Sequence, residues 1–181
     1  MIRLESVTPD NRKLGSVRTG QADDNEIVMI RKLRQEEAHM RADPKEAEKL
    51  APLVKIVWPE HGLDELTEII TGYMASEDSA VFAEYVNGEY AGIALCALRH
   101  DYVEGCGTSP VGYLEGVAVR EEYRHLGIAE KLVAECEEWA REKGCTEFAS
   151  DCELTNTASL RFHLAVGFQE ENRIICFKKM L

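Results

Sequence analysis

The chain has 181 residues, 45% of them hydrophobic, which is enough for one domain with a core of its own and leaves no room for a second large domain. Its 21 Lys and Arg stand against 33 Asp and Glu, a formal net charge of −12, so nucleic acid is a poor partner. The charge either attracts a polycationic ligand or only keeps the protein in solution, and by itself it leaves both interpretations open. No run approaches the roughly 20 apolar residues that cross a bilayer, and the first residues have no signal-peptide core, so we expect a cytoplasmic protein without a membrane partner.

The chain begins with a polar stretch. Residues 1–26 offer only scattered apolar side chains, and we expect an arm or a leader there, with at most one short strand at residues 2–7. The first clear run of strand-forming residues covers 27–33, so we assign residues 27–181 to the domain.

Two helices are predicted next. Asp43, Pro44 and Glu46 supply an N-cap, a proline at the first helical position and an acidic residue three past the cap, ahead of apolar residues at helical spacing. This pattern predicts a helix that Pro52 kinks or interrupts. Residues 63–74 repeat their apolar side chains every three or four positions, which predicts a second amphipathic helix.

Strands follow the two helices. Residues 81–86 and 90–98 predict a hairpin, because the Asn87-Gly88 pair between them suits a turn in which both central residues need a positive φ. A loop of polar and small residues covers 99–110. A further strand is predicted over 112–119.

The rest of the chain alternates helix and strand. A strongly periodic helix is predicted over 127–143 with Gly144 as its stop, then a strand over 145–152, a short helix over 156–166 and a closing hairpin over 168–178. The whole order, β-α-α-β-β-β-α-β-α-β-β, predicts a mixed α/β fold with a mostly antiparallel central sheet and helices on both faces.

The six cysteines lie far apart in the sequence. They form no CxxC pair, and no histidine stands at metal-ligand spacing from them, so we expect reduced thiols and no bound metal. Cys152 has no evident arrangement of histidine and carboxylate near it, so a nucleophilic cysteine is not predicted.

The strongest chemical signal lies where the strand at 112–119 passes into the helix at 127–143. The turn there reads Arg124-x-x-Gly127-x-Ala129 and opens the helix. Unpaired backbone N–H groups at a helix start, with the positive end of the helix dipole behind them, bind phosphate, and Gly127 and Ala129 keep side chains out of the way. The same residues also suit ordinary strand-to-helix packing, so the pattern alone leaves both interpretations open.

This turn resembles the Arg/Gln-x-x-Gly-x-Gly/Ala element of the Gcn5-related N-acetyltransferases (GNAT). The stretch 109–179, from Ser-Pro-Val-Gly-Tyr-Leu-Glu-Gly through Cys-Thr-Glu-Phe-Ala-Ser-Asp to Gly-Phe-Gln-Glu, is similar to the aminoglycoside 6'-N-acetyltransferases. A looser likeness extends back to about residue 27. The resemblance implies a GNAT-like acyl-CoA acyltransferase fold with acetyl-CoA as co-substrate.

The resemblance also implies a cofactor site. In this superfamily the strand before the turn and the next strand splay apart, and the pantetheine arm lies between them, which places Val117 and Val119 along it. The backbone amides implied at the pyrophosphate are those of Arg124, Leu126, Gly127, Ile128 and Ala129. Asn156 stands where the superfamily keeps an asparagine near the thioester arm, and it equally suits the N-cap of the helix that follows.

Two residues are implied in catalysis. Asp151 ends a strand at a sheet edge, and the resembling enzymes keep this aspartate against the aminoglycoside amines, where a carboxylate binds an ammonium and accepts its proton. A turn-forming or capping aspartate is the alternative. His163 lies four residues before Gly167, where most of the superfamily has a tyrosine that protonates the departing thiolate and this branch often has histidine. A packed, hydrogen-bonded histidine is the alternative there.

Glu115 is a charge inside an otherwise apolar strand and a candidate for substrate binding. Strand alternation puts it on the same face as Tyr113, Val117 and Val119. A buried carboxylate requires a partner, which is either the substrate or a structural hydrogen bond.

The loop after residue 98 supplies further candidates for substrate binding. Tyr102 matches an aromatic residue of the resembling branch, and Glu104 lies close to it in sequence. Gly107 departs from the pattern, because several members of the branch carry a glutamate shortly before Thr-Ser-Pro. Either Asp101 or Glu104 replaces that glutamate, or the affinity for substrate is lower.

Together these features predict an acetyl-CoA-dependent N-acetyltransferase that acts on a cationic small-molecule amine, most specifically the 6'-amine of an aminoglycoside antibiotic, by direct attack in a ternary complex. An acetyltransferase for a polyamine or a peptide amine is the nearest alternative. A module that binds acyl-CoA or the antibiotic with little turnover is the alternative from another class. Dimers are common among the resembling enzymes, but the sequence shows no interface that would establish a homodimer.

Overall fold

The computed structural model describes residues 42–181. The predicted arm at 1–26, its short strand at 2–7 and the strand at 27–33 lie outside the described residues. The helices are α1 (Ala47–Val57), α2 (Leu63–Ala75), α3 (Ile128–Glu142) and α4 (Thr157–Ala165). The strands are β1 (Ser79–Val86), β2 (Glu89–Arg99), β3 (Val111–Val119) and β4 (Phe148–Ser150).

The hairpin of β1 and β2 has the turn that its sequence predicts. Asn87 and Gly88 have φ values of 52° and 92°, so both central residues are left-handed, as this tight turn requires. The two strands pair antiparallel from Ser79 opposite Ala97 to Val86 opposite Glu89. The hairpin prediction is confirmed.

The first predicted helix starts one turn later than its cap suggests. The Asp43 side chain accepts a hydrogen bond from the Lys45 N–H at 3.0 Å, but it caps a 3-10 turn, Pro44–Glu46, which leads into α1. Pro52 lies inside α1, which is continuous across it.

The sheet order is β1-β2-β3-β4, with the first three strands antiparallel and β4 parallel to β3. Two apolar cores cover its faces. One includes Leu132, Cys136 and Trp139 of α3, and the other includes Leu50, Val54, Leu66 and Ile70 of α1 and α2. The prediction of a mostly antiparallel sheet with helices on both faces is confirmed. No helix within residues 42–181 has the length and apolar character needed to span a bilayer.

The prediction for the C-terminal part of the chain, from residue 145 on, is wrong in two respects. β4 has three residues, fewer than the predicted strand at 145–152. The closing hairpin at 168–178 is absent from the described chain, where residues 169–181 form no strand and are all exposed. The segment has a run of strand-forming apolar residues at 174–177, but a hairpin is stable only when other elements cover it, and the short β4 offers little edge for pairing.

Candidate active site between the diverging strands

β3 and β4 pair over three residues and then diverge. Residues 112–114 face 148–150 in parallel register, and β4 ends there. β3 continues to Val119 with its other edge bonded to β2, and no described strand pairs with it on the β4 side beyond Leu114. The divergence leaves a groove of the kind that an extended ligand fills by lying alongside a strand.

The register between β2 and β3 shifts at Glu115. Leu95 pairs with Gly116, and Cys96 pairs with Leu114, so the ladder skips Glu115. This is a β-bulge, in which one strand carries an extra residue and the alternation of its side chains changes.

The bulge decides which face each residue of β3 occupies. The core under α3 contains Leu114, Val117 and Val119. Ala118 packs in the opposite core, against α1 and α2. The prediction that Glu115 shares a face with Val117 and Val119 is therefore wrong. The Glu115 side chain lies on the opposite face, together with Tyr113. The extra residue changes the alternation of side chains between Glu115 and Val117.

Arg99 joins Glu115 to Tyr113. Its Nη2 and Nε donate to Glu115 Oε1 at 2.7 and 3.0 Å, and its guanidinium carbon lies 4.1 Å from the centre of the Tyr113 ring. Burial, with a smaller contribution from Asp151, raises the pKa of Tyr113 to about 12, so its hydroxyl stays protonated at neutral pH. Glu115 thus has a structural partner, which favours the structural interpretation over a direct substrate contact.

The start of α3 keeps the geometry of an anion site. Gly127 is the residue before the helix, with φ 79°, and His125 is also left-handed with φ 62°. No side chain of the described residues caps the first turn. The first-turn N–H groups therefore have neither an intrahelical partner nor a capping side chain, and the helix dipole adds positive potential there.

One of the five predicted amides is already engaged. The Arg124 N–H donates to Glu121 O at 3.2 Å in the 3-10 turn Glu121–Tyr123. Its guanidinium Nε donates to Val119 O at 3.3 Å, so the side chain holds the end of β3. Arg124 supports the loop, and the four amides from Leu126 to Ala129 are left as candidates.

A cavity of about 750 Å³ lies beside the divergence, between β4, α4, the loop after β2 and the chain after α4. Its wall includes Asp151, the first residue after β4, and Glu104 of the loop. The other carboxylates that line it are Glu137, Glu147, Glu153, Glu170 and Glu171. Among the described residues of the lining, Arg173 is the one Lys or Arg. The cavity therefore attracts cations.

The sequence predictions found only part of this acidic wall. They included Asp151 and Glu104 but missed the other five carboxylates, among them Glu153, Glu170 and Glu171. No motif singles these three out, and the signal available was the density of acidic residues on either side of α4.

The loop after β2 places its two predicted residues differently. Glu104 lines the cavity and accepts hydrogen bonds from Asn172 Nδ2 at 2.6 Å and from the Tyr102 hydroxyl at 2.8 Å. These two donors, Asn172 first, lower the pKa of Glu104. Tyr102 is 81% exposed and holds Glu104 from outside the cavity wall.

Glu147 ties the same loop to the sheet. Its carboxylate accepts from the Gly107 N–H at 3.0 Å, from the Thr108 N–H at 2.7 Å and from the Thr108 hydroxyl. The Thr108 hydroxyl and the Gly107 amide are the main causes that lower the pKa of Glu147. Gly107 is therefore an anchor for the loop, through its backbone.

Replacing Glu147 with glutamine is expected to loosen this loop. The uncharged amide loses charge-assisted bonds, so the exchange protection of the Gly107 and Thr108 amides should fall by about tenfold or more, measured by hydrogen exchange. Because the pKa of Glu147 is lowered on folding, wild-type protein should keep this protection above pH 4.5 and lose it as the pH falls through the lowered pKa. Glu142→Gln, an exposed change on α3, is the control; equal protection in both variants would contradict the anchor.

His163 is buried on α4 with both ring nitrogens partnered. Nδ1 lies 2.8 Å from Ser159 O, and Nε2 lies 2.9 Å from Ser150 Oγ. The ring is 7% exposed and packs edge-on against Phe168, with 5.2 Å between the ring centres. Burial lowers the pKa of His163. The predicted packing of the histidine is therefore present, and it touches the end of β4.

Asn156 caps α4, as predicted. Its side chain accepts from the Ser159 N–H at 3.0 Å. The cap fixes Ser159, whose carbonyl in turn bonds His163, so the start of α4 and the ring are positioned together. No group of three or more His, Cys, Asp and Glu suited to a metal ion occurs in residues 42–181.

Comparisons with known proteins agree with this geometry. The pattern of the acetyltransferase (GNAT) family matches residues 37–168. Aminoglycoside N(6')-acetyltransferase type 1 of Serratia marcescens is 40% identical over 123 residues, which cover 68% of this chain and 82% of that protein.

Solved structures give the same result. Aminoglycoside N-acetyltransferase AAC(6')-Iy in complex with CoA superposes with a TM-score of 0.74 at 36% identity, covering 77% of this chain and 92% of that one. AAC(6')-Iy in complex with the bisubstrate analogue CoA-S-monomethyl-acetylneamine gives a TM-score of 0.69 at 37% identity, covering 76% and 93%. The diverging strands, the uncapped helix start and these likenesses lead to one conclusion: the chain belongs to the acetyltransferase (GNAT) family.

Proposed function

We propose that this chain transfers the acetyl group of acetyl-CoA to the 6'-amine of an aminoglycoside. The observation that carries the proposal is the acidic cavity beside the divergence of β3 and β4, because it puts a site for a polycation next to a groove for an acyl carrier. The similarity to proteins named aminoglycoside N(6')-acetyltransferase supports the choice of this substrate class.

The groove fits acetyl-CoA. The open edge of β3 beyond Leu114 gives the pantetheine arm a strand to lie against, with Val117 and Val119 along it. The amides that we assign to the pyrophosphate are those of Leu126, Gly127, Ile128 and Ala129. Asn156 would border the thioester end while it caps α4. When bound, the group supplies an activated acyl carbon.

The aminoglycoside would occupy the acidic cavity. We assign Asp151 to the reacting ammonium, and its position after β4 at the divergence, in the cavity lining, supports this choice. Glu104 binds a further amine, with Tyr102 fixing its carboxylate. Glu115 acts less directly, by holding Arg99 beside the cavity residue Tyr113.

The reaction would follow from this arrangement. Asp151 accepts a proton from the ammonium, directly or through water, and the free amine attacks the thioester carbon. A backbone N–H of β3, at Gly116 or Val117, polarises the carbonyl. The C–N bond forms, and His163 takes up the proton that the new amide nitrogen loses. The C–S bond breaks with its electron pair on sulfur, and His163 returns that proton to the sulfur. Most of the rate enhancement comes from holding the two substrates close together in the correct orientation.

A thiol-release assay tests this function. It uses acetyl-CoA and a matched pair of aminoglycosides that differ only in an amine or a hydroxyl at the 6' carbon, alongside a polyamine and a peptide. Thiol should be released with the 6'-amine member and not with the 6'-hydroxyl member. Release with the polyamine or the peptide alone would replace the proposed substrate, and tight binding without release would indicate a sequestering module.

The remaining assignments are proposals of the same kind. We place the catalytic domain at residues 27–181, of which the family pattern covers 37–168, and treat 1–26 as an appended arm. We place the protein in the cytoplasm, where the co-substrate acetyl-CoA is made and used.

The chain after α4 supports a homodimer, which we also propose. Ile174, Ile175 and Phe177 are 64%, 80% and 92% exposed, and large apolar side chains grouped in this way mark an interaction site. Burying each of them in a second copy would contribute about 1.5–3 kcal/mol.

Light scattering tests this contact. The double variant Ile175→Asp, Phe177→Asp should reduce the measured mass from twice 20.4 kDa to 20.4 kDa. Lys179→Asp, a charge change in the same exposed segment, should leave the mass unchanged. A wild-type protein that scatters as one chain would overturn the dimer.

A further inference from the structure

The hydroxyl of Ser150 lies at the point where β3 and β4 diverge. It donates to Leu114 O at 3.0 Å, and these two residues are the last pair of the two strands. The same oxygen lies 2.9 Å from His163 Nε2. One small side chain therefore touches both the strand that we assign to the thioester and the ring that we assign to proton transfer.

The other ring nitrogen fixes where the proton sits. His163 Nδ1 lies 2.8 Å from Ser159 O, which only accepts, and 3.3 Å from Ser159 Oγ, which can also accept, so we assign the hydrogen to Nδ1. Nε2 of the neutral ring is then a bare acceptor. The ring is 7% exposed and packs against Phe162 and Phe168, so among the described residues Ser150 is the hydroxyl through which Nε2 is reached.

Ser150 has one hydroxyl proton and two acceptors within reach. When His163 is neutral, the hydroxyl can donate to Nε2, and Leu114 O then loses its bond. When His163 is protonated, Nε2–H donates to Ser150 Oγ and the hydroxyl donates to Leu114 O, so all three groups are satisfied. Rotation of a single hydroxyl converts one pattern into the other.

The imidazole ring of His163 is neutral in the resting enzyme. Burial lowers the pKa of His163, and the Ser159 carbonyl and the Asp151 carboxylate oppose that shift only in part. The titratable groups that line the cavity bordering the ring come from every element around it: Tyr113 of β3, Glu137 of α3, Glu104 and Cys106 of the loop after β2, Glu147 before β4, Asp151, Cys152 and Glu153 after β4, and Glu170, Glu171, Arg173 and Cys176 after α4. At neutral pH the pair is ready to accept a proton.

We propose that Ser150 and His163 form a proton relay, in which Ser150 touches the reacting atoms and His163 acts through it; the relay rests on the proposed function. After the amine attacks, its N–H proton passes to Ser150 Oγ as the hydroxyl proton passes to His163 Nε2. When the C–S bond breaks, its electron pair stays on sulfur. Nε2 then returns its proton to Ser150 Oγ, and the hydroxyl proton passes to sulfur. One N–H bond is exchanged for one S–H bond, and the ring ends neutral.

Kinetics of Ser150→Ala give the first test. Loss of the relay should lower kcat about 30-fold while both KM values stay within about twofold, since acid–base groups act on the chemical step. Wild-type kcat should fall as the pH drops below the pKa of His163, and this dependence should be lost in the variant. Ser150→Thr keeps the hydroxyl and should recover most of kcat.

Two controls separate the relay from a structural effect. Thr67→Ala removes a hydroxyl-to-carbonyl bond of 2.9 Å on α2, far from the cavity lining, and should leave kcat unchanged. The double variant Ser150→Ala, His163→Gln should lose no more than the more impaired single variant, because both changes break one path. Losses that multiply would overturn the relay.

Imidazole ¹⁵N NMR of the protein without substrates gives a readout that does not depend on turnover. Wild-type His163 should show hydrogen on Nδ1 and a bare Nε2. In Ser150→Ala its pKa should fall, because the protonated ring loses the acceptor at Nε2. A neutral ring with hydrogen on Nε2 would overturn the relay at any level of activity.

The two proposals fail in different ways. If the wild-type enzyme acetylates the 6'-amine and Ser150→Ala keeps its kcat and its pH dependence, the relay is wrong and the proposed function stands. If the wild-type enzyme releases no thiol with any amine, the proposed function is wrong and the chemical role of the relay is overturned with it.

Discussion

Replacing Asp151 with asparagine is expected to lower kcat/KM for a 6'-amino aminoglycoside by about 10³-fold. Asparagine has the same shape but cannot carry the charge that holds the ammonium or accept its proton. KM for acetyl-CoA should change little, because the groove along β3 and the start of α3 are untouched. Asp151 is exposed, so the thermal midpoint should also stay close to that of the wild type.

Steady-state kinetics across pH check this expectation. Glu48→Gln, on the exposed surface of α1, removes one negative charge far from the cavity and should leave kcat/KM unchanged. If Asp151→Asn loses no more than that control, Asp151 does not contact the reacting amine. The acidic cavity would then only attract the substrate, and the proton acceptor would be water or another carboxylate.

Replacing Gly127 with valine is expected to weaken CoA binding by about 10²-fold, because the first-turn amides of α3 lose their alignment and each hydrogen bond to a charged group is worth about 1.5–3 kcal/mol. Gly127 has φ 79°, and a Cβ there meets no atom within 4 Å, so the side chain would occupy the open space before the helix. The left-handed backbone strains valine and also costs roughly 1–2 kcal/mol of stability.

Gly144 supplies a matched control for that strain. It follows the other end of α3 with φ 88°, and a Cβ there also meets nothing within 4 Å. Gly144→Val should therefore lose similar stability, measured by thermal unfolding, and keep the affinity for CoA, measured by calorimetry. If both variants lose the same affinity, the effect comes from destabilising α3, and the start of the helix is not the pyrophosphate site.

Local chemistry made much of the fold predictable. The Asn87-Gly88 turn follows from the few residues that tolerate a positive φ, and the period of α3 follows from one apolar stripe. The hairpin expected at 168–178 shows the limit of this reasoning. Its apolar run at 174–177 is present in the sequence, but whether a strand forms depends on a partner edge that the sequence does not describe.

Site residues were predictable where a single residue or a short motif indicates the function, and not where the site depends on contacts between elements that are far apart in the sequence. Asp151 and the turn at Gly127 stand at the ends of elements, which the sequence places well. The bulge at Glu115 had no local signal, because an extra residue appears only when two strands are paired. Ser150 was also missed, since its contacts with Leu114 and His163 join three elements that are far apart in the chain.

The bulge in β3 has a consequence for how this strand can evolve. Residue 115 is the extra residue of the bulge, so its removal would restore a regular pleat in which Leu114, Val117 and Val119 still face the core under α3 and Ala118 still faces the opposite core. Loops around the sheet can gain or lose residues freely. A single-codon deletion in a strand without such an extra residue would instead move every side chain beyond it to the other face of the sheet, whereas β3 can absorb one deletion by losing its bulge.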